Sequence, residues 1–409
     1  MEINKKTFCG APWFQIRNRQ DMTKSMCCIV EGDQADPDTE SMSPLEYLNT
    51  SKLVKMRTAM ANGVKVPECD VCWDVENHKG FSYRMQINSF LEGNQKWLDS
   101  YFKNKKNYKT DMVLMADIKI GNTCNFSCIM CNPSDSSKIY NSWVKQKGSP
   151  FVKEYIDRDP NYFEKAKRQG FKQVSYRDYI ESIIENKNMK YIKLLGGEPL
   201  MDQKLLDMLY SIPDERKSKI ELQIITNGSH SLVEQKHKLG NFKRVTWNIS
   251  LEGIESVQEY ARYGSNWATT EKHILEYEKL YPQNITILTC LQSPTITGLA
   301  DLIKWTKKHN LAFTITLLKD PAYLSIRAVP EELKQLALES LQPLENYVVR
   351  QNAEYQMCDM ATLLSYIKDS SYDKNLHKKF LKYISFYEQD KILPKFLDIH
   401  QQWRTHFEV

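Results

Sequence analysis

Cysteine placement constrains this chain more than any other feature. Of ten cysteines in 409 residues, eight fall before residue 132 (Cys9, Cys27, Cys28, Cys69, Cys72, Cys124, Cys128 and Cys131), and only Cys290 and Cys358 lie beyond. The opening Met1-Glu-Ile-Asn-Lys-Lys leads into a polar segment, not an apolar stretch with a small-residue cleavage site, so the expected location is the cytoplasm, where thiols stay reduced. Clustered reduced thiols then read as metal ligands or catalytic groups, not as a disulfide framework.

Composition narrows the class further. A hydrophobic fraction of 41% and a charged fraction of 26% are those of a folded globular chain. The longest apolar runs, such as Ile285 to Leu291, are too short to cross a bilayer, so no membrane partner is expected. The net charge of +5 helps attract an anionic ligand but falls short of the basic excess of a nucleic-acid binder. The local run of Lys103, Lys105, Lys106 and Lys109 reads as a solvated linker. Cys290 and Cys358 read as buried thiols without chemistry.

The chain is long enough for about two or three domains, and its pattern changes at Asp111. Before that point cysteines are spread among turns around one helix expected from Leu45 to Met60, and a small lobe of this kind gains from a metal staple. Beyond it, short apolar or alternating strands are expected over Met112–Ile120, Tyr191–Leu195, Glu221–Thr226, Arg244–Leu251, Asn284–Leu291 and Ala312–Leu318, separated by helical stretches. The implied fold is α/β, a partial (β/α)6 TIM-like barrel over residues 111–325, with a helical insert at 136–189. A cysteine-rich lobe (1–110) precedes it and a helical region (326–409) follows. After Pro330, acidic residues open a helix that places Leu333, Leu336, Ala337 and Leu341 on one face.

Directly after the first strand comes Gly121-Asn-Thr-Cys124-Asn-Phe-Ser-Cys128-Ile-Met-Cys131. Three cysteines on a four-iron cluster leave one iron open to an exogenous ligand. Such spacings also suit zinc with a distant fourth ligand; the position at the C-terminal end of a barrel strand favours the iron-sulfur reading. This C-x3-C-x2-C loop resembles the signature of the radical S-adenosylmethionine (radical SAM) superfamily. Many members carry an aromatic residue just before the third cysteine, where this chain has Met130. The resemblance implies a catalytic [4Fe-4S] cluster on Cys124, Cys128 and Cys131, with S-adenosylmethionine chelated at the open iron.

The second strand ends in Gly196-Gly197-Glu198-Pro199, where paired glycines let backbone approach a ligand and a carboxylate can accept from an ammonium group. It resembles the family's Gly-Gly-Glu-Pro motif, which meets the amino group of the cofactor. By the same resemblance Asn227, Ser250 and Glu252 lie near the ribose and carboxylate of the cofactor, although members often have Asp where this chain has Glu252. Arg262 lies where relatives have an arginine for that carboxylate; a surface salt bridge is the alternative.

The N-terminal thiols resemble an auxiliary-cluster module of the twitch type, here preceding the barrel. That resemblance implies a second [4Fe-4S] cluster on Cys9, Cys27, Cys69 and Cys72, with Cys27 preferred over its neighbour Cys28 and a structural zinc as the alternative. The implied activity is hydrogen abstraction from a substrate, for oxidative modification of a peptide or protein side chain. Alternatives are a sugar or nucleotide substrate, or a zinc or iron-sulfur module without turnover. A flavodoxin or ferredoxin is the expected electron donor.

Overall fold

The structure is a computed structural model that describes residues 4, 6–19, 21–30, 38–77, 82–92, 95–103, 107–171, 176–318, 320–344, 360–392 and 394–407. Cys358, Lys105 and Lys106 lie outside the described residues.

The described strands are β1 (Gln15–Asn18), β2 (Lys24–Ser25), β3 (Met115–Ile120), β4 (Ser127–Cys128), β5 (Tyr191–Gly196), β6 (Glu221–Thr226), β7 (Arg244–Ser250), β8 (Arg262–Tyr263), β9 (Ile285–Leu291) and β10 (Ala312–Leu317). Eight form one sheet in the order β10-β9-β7-β6-β5-β3-β1-β2, while β4 and β8 make a separate ladder. All six strands expected from the sequence are in that sheet, the first starting at Met115 instead of Met112. From β3 to β10 they are parallel and follow one another in chain order. Helices Gln203–Ser211, Leu232–Leu239, Trp267–Leu280 and Leu299–Lys308 fall in the successive connections. Parallel strands wound in one direction with a helix in each return make an open barrel, since each return takes the same hand.

Period two separates the faces of this sheet. Ile118, Leu194, Ile224, Ile249, Ile287 and Ile315 are buried and share the apolar face. Asp117, Lys193 and Gln223, aligned across β3, β5 and β6, and Asn248 with Thr286 across β7 and β9, form a buried polar layer on the other face. Toward the strand C-termini that polar face opens: Lys119, Leu195, Ile225, Ser250, Leu288, Cys290 and Thr316 are half-buried. The barrel interior therefore has a floor of charged and amide groups and a mouth where strands pass into loops.

β1 pairs in parallel with β3, so the N-terminal lobe contributes two strands to the barrel sheet and shares backbone hydrogen bonds across residue 110. The single helix expected from Leu45 to Met60 is two, Pro44–Leu48 and Ser51–Ala61. A Ser43–Glu46 capping box starts the first, and the break falls at Asn49, whose amide exchanges hydrogen bonds with the backbone of Thr110 at 2.8 and 2.9 Å. An Asn that bonds to backbone competes with helix continuation. The insert is helical in pieces, beginning with Ser137–Lys145 and Pro150–Arg158. These pack on the C-terminal helix Lys374–Glu388 through Trp143, Phe151 and Phe386, with ring centroids 5.0 to 5.5 Å apart. In the helix Glu331–Leu341, Leu333, Ala337 and Leu341 are buried as expected, but Leu336 is 48% exposed, one position off the i, i+4 stripe.

Candidate active site

The cysteine loop is held from outside along its length. Ser137 N donates to Asn122 O at 2.7 Å, and Lys138 Nζ donates to Asn125 O at 2.6 Å. Tyr387 Oη donates to Ser127 O at 2.7 Å and Tyr383 Oη to Ile129 O at 2.5 Å, both from the C-terminal helix. The β4–β8 ladder places Cys128 opposite Arg262. Buried tyrosines need a partner for their hydroxyls, and here the partners are carbonyls of the loop. Nothing local in the sequence announces Tyr383 and Tyr387; their i, i+4 spacing on one helix face is the single signal.

Burial pushes the Cys128 thiol up to about 12, with Arg262 opposing the rise. Cys124 and Cys131 are raised for the same reason, and charge on Cys128 and Cys124 raises Cys131 further. Thiols close enough to feel one another's charge stay protonated until a cationic centre takes up that charge, since a coordinating thiol is deprotonated outright. Donors aimed at sulfur suit that outcome: Phe126 N lies 3.4 Å from Cys124 Sγ and Arg262 Nη1 3.7 Å from Cys128 Sγ. Among the described residues no three His, Cys, Asp or Glu side chains are gathered tightly enough for a lone metal ion.

The Gly-Gly-Glu-Pro turn packs directly on this loop. Glu198 N donates to Thr123 O at 2.8 Å and Gly197 N to Gly121 O at 3.2 Å. A Cβ on Gly196 would come within 2.0 Å of Ile120 O, and one on Gly197 within 2.2 Å of Thr123 O. The glycines thus make room for neighbouring backbone, where the sequence reading expected a ligand. Glu198 is 2% exposed; it accepts from Leu200 N (3.1 Å), Thr226 Oγ1 (2.7 Å) and Asn227 N (2.7 Å). Burial lifts its pKa to about 6 against these hydrogen bonds. Asn227 Nδ2 also donates to Asn125 Oδ1 at 2.8 Å, tying the third barrel strand to the cysteine loop.

Ser250 is half-buried at the mouth on the polar face. Glu252 is 1% exposed, and both oxygens have protein partners: Oε1 takes Arg262 Nη2 at 2.6 Å, and Oε2 takes Thr289 Oγ1, Cys290 N and Gln292 Nε2. Arg262 is therefore in an ion pair, but a buried one, its side chain 13% exposed against 0% for Glu252. Cys290 lies on the half-buried inner face, 3.2 Å from Thr316 Oγ1 and within electrostatic reach of Cys128.

In the lobe, Cys9, Cys27, Cys69 and Cys72 are all buried, while Cys28 is half-buried. Charge on Cys9, Cys27 and Cys72 raises Cys69, on top of burial. Burial likewise pushes Cys9 up to about 12 and Cys27 well up. Backbone N–H groups of Ala11, Val30 and Arg84 point at Cys9, Cys27 and Cys72 in turn, the pattern that suits sulfur carrying negative charge.

A cavity of about 840 Å³ lies between lobe and loop. Cys131 and Met130 form one wall, Arg17, Arg19 and Val30 of the lobe another; Trp143, Tyr155, Tyr162, Tyr323 and Tyr383 supply aromatic surface.

Residues 118–305 match the family model described as the radical SAM superfamily. No curated protein sequence matches the chain. Solved structures similar to it include native anSMEcpe with bound AdoMet (18% identity, 56% of this chain and 60% of that one, TM-score 0.38). Others are anSMEcpe with AdoMet and the Cp18Cys peptide (17%, 60% and 62%, TM-score 0.33) and TYW1 with a lysine-pyruvate adduct (14%, 56% and 71%, TM-score 0.28). The matches to the two anSMEcpe structures span less than two thirds of those chains. No described helix is long and apolar enough to cross a membrane. The matched segment runs from the first barrel strand through the cysteine loop to the helix after β9, so residues 118–305 form a radical SAM domain.

Proposed function

We propose that this chain oxidises a side chain of a peptide or protein, with Cys124, Cys128 and Cys131 holding the catalytic [4Fe-4S] cluster and Cys9, Cys27, Cys69 and Cys72 holding an auxiliary one. S-adenosylmethionine at the open iron supplies a 5'-deoxyadenosyl radical when the cluster gives it an electron. The chain's residues do the rest. Glu198, charged above its pKa of about 6, accepts from the cofactor ammonium; Asn227 and Ser250 offer polar groups at the barrel mouth. Glu252 acts as a positioning group for Arg262, since its oxygens are engaged by protein donors.

The observation that carries the proposal is the cavity, whose walls include Cys131 on one side and, on the other, Val30, the residue whose N–H faces Cys27. A substrate held there would lie between the catalytic loop and the lobe that carries the second thiol group, which favours net oxidation over rearrangement. Its size, near the upper end of small-ligand pockets, suits a peptide segment. The lining aromatics exclude water and stray reductants from the reacting groups.

Anaerobic reconstitution with iron and sulfide should give about eight irons per chain, and dithionite with S-adenosylmethionine should then release 5'-deoxyadenosine. Changing Cys124, Cys128 and Cys131 to Ala should abolish release. Changing Cys69 and Cys72 to Ala should leave cofactor cleavage but halve the iron and remove any oxidised peptide product. A colourless zinc protein would sink the proposal.

A further inference from the structure

β8 lays Arg262 against Cys128, and the side chain bridges two groups: Nη1 lies 3.7 Å from Cys128 Sγ and Nη2 2.6 Å from Glu252 Oε1. Glu252 is itself pinned by Thr289 Oγ1 at 3.3 Å, Cys290 N at 2.9 Å and Gln292 Nε2 at 3.0 Å. The guanidinium is thereby fixed from the far side of the barrel mouth. Among the described residues Arg262 Nε has no partner, and each Nη makes one contact, to Cys128 Sγ or to Glu252 Oε1, so these two groups set the orientation of the guanidinium.

We propose that Arg262 is a positioning and tuning residue for the catalytic cluster, donating to the Cys128 sulfur and raising the cluster's reduction potential, instead of pairing with the cofactor carboxylate. The inference rests on the functional reading above. Hydrogen bonds and positive charge at a ligating sulfur favour the more negative, reduced cluster. Glu252 opposes this, but its carboxylate holds Arg262 by Nη2 while Nη1 lies against the sulfur itself. The lobe offers a contrast: Arg84, held by Glu76 through two of its nitrogens, gives its third to Phe8 O at 2.7 Å. An Arg–Glu pair thus stands beside each thiol group, and in the catalytic loop the guanidinium reaches sulfur itself.

The test uses the full chain, reconstituted anaerobically, as wild type, Arg262→Gln, Arg262→Lys and Glu252→Gln. The reading is the midpoint of the cluster whose EPR signal shifts on adding S-adenosylmethionine, titrated without the cofactor, together with the cofactor affinity taken from that shift. In Arg262→Gln the reduction equilibrium constant should fall about tenfold, or about 59 mV for one electron, with cofactor affinity nearly unchanged. Arg262→Lys should fall part-way, and Glu252→Gln should rise, since it removes the opposing negative charge and keeps a hydrogen-bond partner for Arg262. If Arg262→Gln assembles no cluster, the lysine variant carries the same criterion. An unmoved midpoint with cofactor affinity weakened about tenfold, or about 1.4 kcal/mol, would overturn the inference and make Arg262 a carboxylate clamp; an unmoved midpoint with unmoved affinity overturns it as well. A wild-type protein with no cofactor-responsive cluster overturns the functional reading, and this inference with it.

Discussion

Glu198 joins two demands that oppose each other. Folding buries the carboxyl and lifts its pKa from 4.5 to about 6, so its contribution to stability is full below about pH 4.5 and is lost as the pH rises through 6. Binding an ammonium group needs the charged form, which exists above 6. Affinity for S-adenosylmethionine should therefore weaken as the pH drops below about 6 and level off above it, while Glu198→Gln should bind poorly at every pH; equilibrium dialysis across pH 5 to 8 checks both. At this scale the sequence was legible wherever a motif is contiguous, as in Cys124 to Cys131 and Gly196 to Pro199. It was less so for Arg262, because the partners that define its surroundings, Cys128 and Glu252, are brought together by a two-residue ladder and by the end of β9.

Among the elements, the helix Lys374–Glu388 has the least expected role. Its Tyr387 hydroxyl, with one proton to give, lies 2.7 Å from Ser127 O and 3.1 Å from Tyr260 O, so one side chain links the cysteine loop to the segment that leads into β8. Tyr387→Phe should leave the buried carbonyls short of a donor and cost about 1–3 kcal/mol, seen as a lower denaturation midpoint and faster loss of iron to a chelator. Unchanged iron retention would separate this helix from the loop. The six barrel strands were legible because alternation and apolar runs are local properties. The Tyr387 contact spans 260 residues of chain, and no periodicity records a pairing at that separation.

At the scale of the whole molecule, the lobe, the barrel and the C-terminal helices converge on one cavity, and each supplies part of its wall. The cysteine spacing made the lobe visible as a second thiol site. It gave no hint of β1 and β2, two short strands whose residues, Gln15 to Asn18 and Lys24 to Ser25, show no alternation to read. Yet β1 matches four residues of β3 in register. A shortened chain starting at Asp111 would bare that whole flank of β3, a row of unanswered amides and carbonyls next to the cysteine loop, and such flanks recruit copies of themselves. Light scattering should find it clumped, whereas the intact chain stays dispersed. The seam that looks like a place to cut is where the two halves are stitched.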